Sequence, residues 1–174
     1  MRIGGILAVV AALLLAGPVS AAEDDYAVFK ETAGRPAAPE LSVMTLDEAP
    51  ASLAAYQGKL VLLNLWATWC APCVKEMPAL LRLQQKLGPQ GLQVVALSQD
   101  RGSARVVKPF LAEKKLTELA VLLDPKSTAM KAMQIRGLPT TILISRDGKE
   151  IGRMEGDYEW DGPEAVALVS KYLK

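Results

Sequence analysis

The sequence predicts an α/β fold, and three observations carry the prediction. Leu60 to Leu65 is apolar on both alternating faces except at Asn64, the pattern of a central strand covered on both sides. Helical spacing follows, with Val74, Met77, Leu80, Leu81, Leu83 and Leu87 along one stretch. Strand and helix patterns then alternate to the C-terminus, with an Asp-Gly hairpin signal at Asp147-Gly148.

In chain order, residues 1–22 have the make-up of a signal peptide. Arg2 supplies positive charge, Ile3 to Ala16 is apolar, and Val19-Ser20-Ala21 offers small residues for cleavage. An uncleaved membrane anchor is the competing reading, since Ile3 to Ala22 carries no charge and is about long enough to span a bilayer. Either way the expected location is periplasmic, free or held in the inner membrane, where disulfides persist. Residues 23–39 are acidic at Glu23, Asp24 and Asp25, then rich in Gly and Pro, and read as a flexible linker.

The domain is expected over 40–174. Leu41 to Leu46 reads as a leading strand, Ser52 to Gln57 as a helical turn and Lys59 to Trp66 as the central strand. Ala71 to Leu87 follows as a helix that Gly88-Pro89 should stop. Leu92 to Ser98 is a second buried strand. Ser103 to Lys115 is a helix, with Val106, Val107, Phe110 and Leu111 at helical spacing. Leu119 to Leu123 is a short strand, Lys126 to Met133 a short helix, and Thr140 to Ser145 with Glu150 to Met154 a hairpin. Asp161-Gly162-Pro163-Glu164 opens a closing helix. Pattern alone gives no strand order.

Charge and composition narrow the function. The 20 basic residues nearly cancel the 19 acidic ones, leaving no electrostatic footprint for nucleic acid. The chain has no histidine, which removes the usual base of a Cys–His hydrolase and the commonest metal ligand.

The two cysteines, Cys70 and Cys73, sit where the buried strand hands over to the helix. Two intervening residues suit a reversible disulfide, and a Cys70 thiolate would be stabilised by free N–H groups at the helix start. Cys70 is the expected nucleophile and Cys73 the resolving thiol. So small a loop constrains little of the unfolded chain, and a zinc site would need more ligands. Copper(I) on two thiolates remains an alternative. Glu76 lies three residues after Cys73, on the same side of the helix, where it could accept the Cys73 proton or be an ordinary first-turn acid. Ala71-Pro72 puts no charge between the cysteines, so Pro72 tunes the pair toward the reducing end. Trp69 is expected to flank the site, partly exposed, with Trp66 in the core and Trp160 only packing the last helix. The Asn64 amide is expected to be satisfied by backbone or water.

Leu62, Asn64 and Trp66-Ala67-Thr68-Trp69-Cys70-Ala71-Pro72-Cys73, with Glu76 and Pro78 behind, resemble the active-site segment of TlpA/ResA-type proteins of the thioredoxin superfamily, TlpA most closely. Gly137-Leu138-Pro139-Thr140-Thr141 is similar to that family's second signature. The resemblance runs from about Glu40 to the C-terminus. It implies a thioredoxin-like mixed β-sheet flanked by helices, with Ser103 to Leu123 as an αβ insertion in the middle. It further implies a proton-accepting Glu76 and a cis Leu138–Pro139 bond that faces the cysteines and pairs with substrate backbone. Asn64 departs from thioredoxin, which has aspartate there paired with a lysine; Leu92 to Ser98 has no lysine.

The function implied is an extracytoplasmic thiol:disulfide oxidoreductase that reduces disulfides in partner proteins, in copper-site assembly of cytochrome oxidase. Reduction of apocytochrome c is the alternative, and a non-enzymatic Cu(I) carrier the alternative of another class. Electrons would come from a membrane protein of the DsbD or CcdA type. The expectation includes no cofactor beyond the Cys70–Cys73 disulfide, no metal, no nucleic acid, membrane contact only through the N-terminal segment, and a monomer.

Overall fold

The apolar run at Leu60 becomes the fourth strand across an eight-stranded sheet in the computed structural model, which describes Met1 and residues 28–174. The expected signal peptide or anchor lies outside the described residues. In chain order the strands are β1 Lys30–Glu31, β2 Val43–Thr45, β3 Pro50–Ala51, β4 Leu60–Trp66, β5 Leu92–Ser98, β6 Ala120–Leu123, β7 Thr140–Ile144 and β8 Glu150–Glu155. The helices are α1 Ala71–Leu87, α2 Ala104–Glu113, α3 Thr128–Ala132 and α4 Pro163–Leu173. The sheet order is β1-β8-β7-β4-β5-β6-β2-β3. β4, β5 and β6 run parallel, and the other pairings are antiparallel. α2 and β6 form the expected insertion between β5 and α3.

Both faces of β4 are covered, which is why its sequence does not alternate. Leu60, Leu62 and Trp66 pack with Met77, Leu80 and Leu83 of α1, Val107 and Leu111 of α2, and Val169 of α4. Val61, Leu63 and Leu65 face the other way, toward Leu41, Val43, Ile142 and Ala129 of α3. At about 2 kcal/mol per buried large aliphatic side chain, this strand and α1 dominate the core. No helix among the described residues is long and apolar enough to cross a membrane.

One sequence expectation needs correction. The segment read as a linker is tied to the sheet at two places, the two-residue strand Lys30–Glu31 and a bridge at Ala37. β1 pairs antiparallel with β8, Thr32 N–H donates to Ile151 O at 2.9 Å, and Ala37 bridges Lys149. The cause is the free edge of β8, whose backbone groups need partners. Gly152 makes room: a Cβ there would lie 2.5 Å from Phe29 Cζ and 2.6 Å from Lys30 O. The α-helix α1 ends at Leu87 with Gly88 as its cap, as expected, and the chain turns further before β5. Gly88 keeps a right-handed conformation (φ −53°) and continues into a 3-10 turn over Gly88–Gln90. The left-handed residue that stops the run is Gly91, φ +104°. Pro89 is tolerated because the first residues of such a turn need no N–H.

Candidate active site

β4 ends at Trp66, a four-residue loop follows, and Cys70 caps the N-terminus of α1. Its sulfur accepts from the Cys73 N–H at 3.4 Å, the place a capping side chain normally fills. A disulfide joins Cys70 to Cys73, with Cα atoms 5.3 Å apart. Cys70 keeps 6% of its surface exposed and Cys73 none. An incoming sulfur therefore meets Cys70 first. Trp69 stands beside it, 71% exposed. Trp66 is fully buried against Phe110. Pro72 is exposed in the first turn of α1.

The loop is held by Asp100, just past the end of β5 and buried. Its carboxylate accepts from the Thr68 N–H at 3.0 Å, the Thr68 hydroxyl at 2.7 Å and the Ser98 hydroxyl at 2.9 Å. Gln99 N–H also donates to Trp66 O. Sequence reasoning missed Asp100; the available signal was an acid directly following an apolar strand, where a buried carboxylate needs donors.

Glu76 is buried beneath the cysteines' helical turn, 3% exposed. Asn64 Nδ2 donates to its Oε1 at 2.7 Å, while Tyr158 N–H and Trp160 Nε1–H both donate to Oε2 at 3.0 Å. Burial pushes the carboxyl from the ordinary 4.5 up to about 7. The three hydrogen bonds pull down against burial, and the nearby Asp157 charge adds to the rise. A carboxyl titrating near neutrality can take up and give back a proton under working conditions.

Two expectations change here. The Asn64 Nδ2 takes side-chain partners rather than backbone ones: it donates to Glu76 and to the Thr141 hydroxyl, the latter at 2.9 Å. Trp160 does more than pack the last helix, since its indole N–H holds Glu76. Both misses share one cause: the partners are 12 and 84 residues away, beyond the reach of local spacing.

The Leu138–Pro139 bond is cis. It immediately precedes β7, whose first residue Thr140 pairs with Leu65 near the end of β4. The proline loop and the cysteine loop thus leave neighbouring strands at the same end of the sheet. Gly156 N–H donates to Pro139 O at 2.9 Å, and Thr140 Oγ1–H to Gly137 O at 2.8 Å. Leu138 is half-buried and packs against both core layers. No cluster of three or more Cys, Asp or Glu side chains suited to a metal occurs among the described residues.

With that geometry in hand, relatives are informative. Residues 35–149 match the AhpC/TSA family. The chain is similar to the thiol-disulfide oxidoreductase ResA of Bacillus thuringiensis subsp. konkukian, 34% identical over 137 residues, covering 79% of this chain and 75% of that protein. ResA of Oceanobacillus iheyensis is 32% identical over 148 residues, covering 83% and 74%. Among solved structures, one from Chlorobium tepidum, provisionally described as thiol:disulfide interchange protein DsbE, superposes with a TM-score of 0.74 at 27% identity over 84% of this chain and 100% of that one. The thioredoxin domain of a thiol-disulfide oxidoreductase from Bacteroides vulgatus gives 0.70 at 25% identity, over 82% and 99%.

Proposed function

Because this chain belongs to the AhpC/TSA family and is a thiol-disulfide oxidoreductase, we propose that it works as a reductant of protein disulfides outside the cytoplasm. The observation that carries the reading is the graded burial of three groups on one helix. Cys70 is accessible at the capped end, Cys73 is closed off behind it, and Glu76, near-neutral, lies three residues further on.

The Cys70 thiolate attacks one sulfur of a partner disulfide; that bond breaks, a Cys70–partner bond forms, and the other partner sulfur leaves and takes a proton. The Cys73 thiol then gives its proton to the Glu76 carboxylate, and the thiolate attacks Cys70 Sγ. The Cys70–Cys73 bond forms, the second partner sulfur leaves, and two electrons have passed to the partner. Trp69 and the Leu138–Pro139 backbone would contact that partner. A membrane donor of the DsbD or CcdA type would restore the dithiol.

The reducing direction is supported by the uncharged Ala71-Pro72 pair, which leaves mainly the helix end to stabilise a thiolate. Equilibration with glutathione tests it. A potential below that of protein disulfide isomerase, about −180 mV, is expected, and a higher one would reverse the direction.

For the partner we favour copper-receiving cysteines in cytochrome oxidase assembly, on the likeness of Leu62 to Pro78 to TlpA-type segments. Trapping with Cys73→Ser in periplasm should yield such a protein; apocytochrome c on the trap would move the role to cytochrome maturation. A carrier would instead bind copper(I) tightly at one ion per reduced chain.

A further inference from the structure

We infer that Glu76, in the proton-acceptor role proposed above, takes up and releases its proton on Oε1, and that Trp160 is the positioning residue that makes it so. A carboxylate offers about four lone-pair sites, two on each oxygen. On Oε2 both are occupied, by the Tyr158 N–H and the Trp160 Nε1–H, each at 3.0 Å. Both partners are donor-only groups, so neither can turn round to receive an O–H. A proton on Oε2 would displace one of them and leave a buried N–H without an acceptor, which native structures avoid. Oε1 accepts one bond, from Asn64 Nδ2, and keeps a free site. The Asn64 amide is itself anchored to the Thr141 hydroxyl on β7, so its nitrogen stays turned toward Glu76.

Trp160 suits this role by placement. It lies in the segment between β8 and α4, fully buried, with the Tyr158 ring edge-on at 5.3 Å. The other charged or titratable groups near Glu76 do not substitute for it. Asp157 is paired with Lys75 at the surface, the Tyr158 hydroxyl is turned to Glu164, and Cys70 and Cys73 are joined in their disulfide.

The test uses the oxidised full chain with no substrate. The infrared band of the protonated Glu76 carboxyl, assigned by its absence in Glu76→Gln, is titrated in wild type and in Trp160→Phe. Loss of one donor from the charged form should move the midpoint upward from about 7 by about one pH unit. In wild type the Trp160 indole N–H, followed by NMR, should stay hydrogen-bonded and slow to exchange on both sides of the midpoint. Coincident midpoints in the two proteins, or an indole N–H that exchanges freely once the carboxyl is protonated, would overturn the assignment. The indole measurement needs no variant, so a Trp160→Phe chain that fails to fold does not end the test. If Glu76 titrates as stated but the rate of mixed-disulfide resolution ignores that midpoint, the Oε1 assignment stands and the proton-acceptor role falls.

Discussion

Replacing Glu76 with Gln should make the oxidised protein more stable above neutral pH while leaving it nearly unchanged in acid. In the folded chain burial raises this carboxyl to about 7, against an ordinary 4.5 in the unfolded chain. The folded state therefore holds the proton more tightly. Below about pH 4.5 both states are protonated and nothing is lost. Between 4.5 and 7 only the folded state keeps its proton, so stability falls as pH rises. Above 7 the loss is complete. At about 1.4 kcal/mol per pH unit the loss comes to roughly 3 kcal/mol. The Gln side chain has no charge to bury, and its oxygen can accept from Tyr158 and Trp160. Its NH₂ then faces Asn64, whose amide must flip so that Oδ1 accepts from it, with the Thr141 hydroxyl turning to donate to the same oxygen. The assay is urea unfolding of both proteins at pH 4.5, 6, 7 and 8, disulfide intact, read as the difference between them so that other titrations cancel. A gap that opens by roughly 3 kcal/mol across this range is predicted. A gap that is constant with pH would refute the claim that Glu76 ionises at a cost inside the fold.

Other perturbations follow from the same geometry. Asp100→Ala strands the Thr68 N–H, the Thr68 hydroxyl and the Ser98 hydroxyl, and should cost about 2–4 kcal/mol by denaturant unfolding while slowing Cys70 alkylation in the reduced protein. Unaltered alkylation would detach Asp100 from the cysteine loop. Trp69→Ala removes an exposed ring, so stability should stay within about 0.5 kcal/mol while the rate with protein disulfides falls and that with small disulfides does not. Gly152→Val drives a side chain into Phe29 and the Lys30 carbonyl; it should release β1, seen as faster proteolysis near residue 30 at unchanged redox potential.

How much of this was legible in the sequence depends on the range of the interactions. α1 and β5 match their expected bounds, because hydrophobic periodicity and the Gly-Pro boundary are local signals. The cysteine pair was legible for the same reason, two thiols at fixed spacing on a strand-to-helix junction. The strand order was not legible, since a parallel pairing such as β4 with β5 is decided by packing across the sheet. Nor was β1: two polar residues, Lys30 and Glu31, show no apolar pattern, and they are ordered only because β8 offers an edge. In the site, Glu76 could be placed by helical spacing, but its donors could not. Asn64, Tyr158 and Trp160 converge on it from a strand and a connecting segment whose sequences carry no mark of each other.

The central claim is that electrons leave through Cys70, with Cys73 acting only afterwards. Mixing each single-cysteine variant with a protein disulfide of known sequence and mapping the adducts by mass tests this most directly. The account predicts a stable mixed disulfide through Cys70 in Cys73→Ser, and no comparable adduct in Cys70→Ser, whose remaining thiol is fully buried. Adducts forming equally well through Cys73 would contradict it.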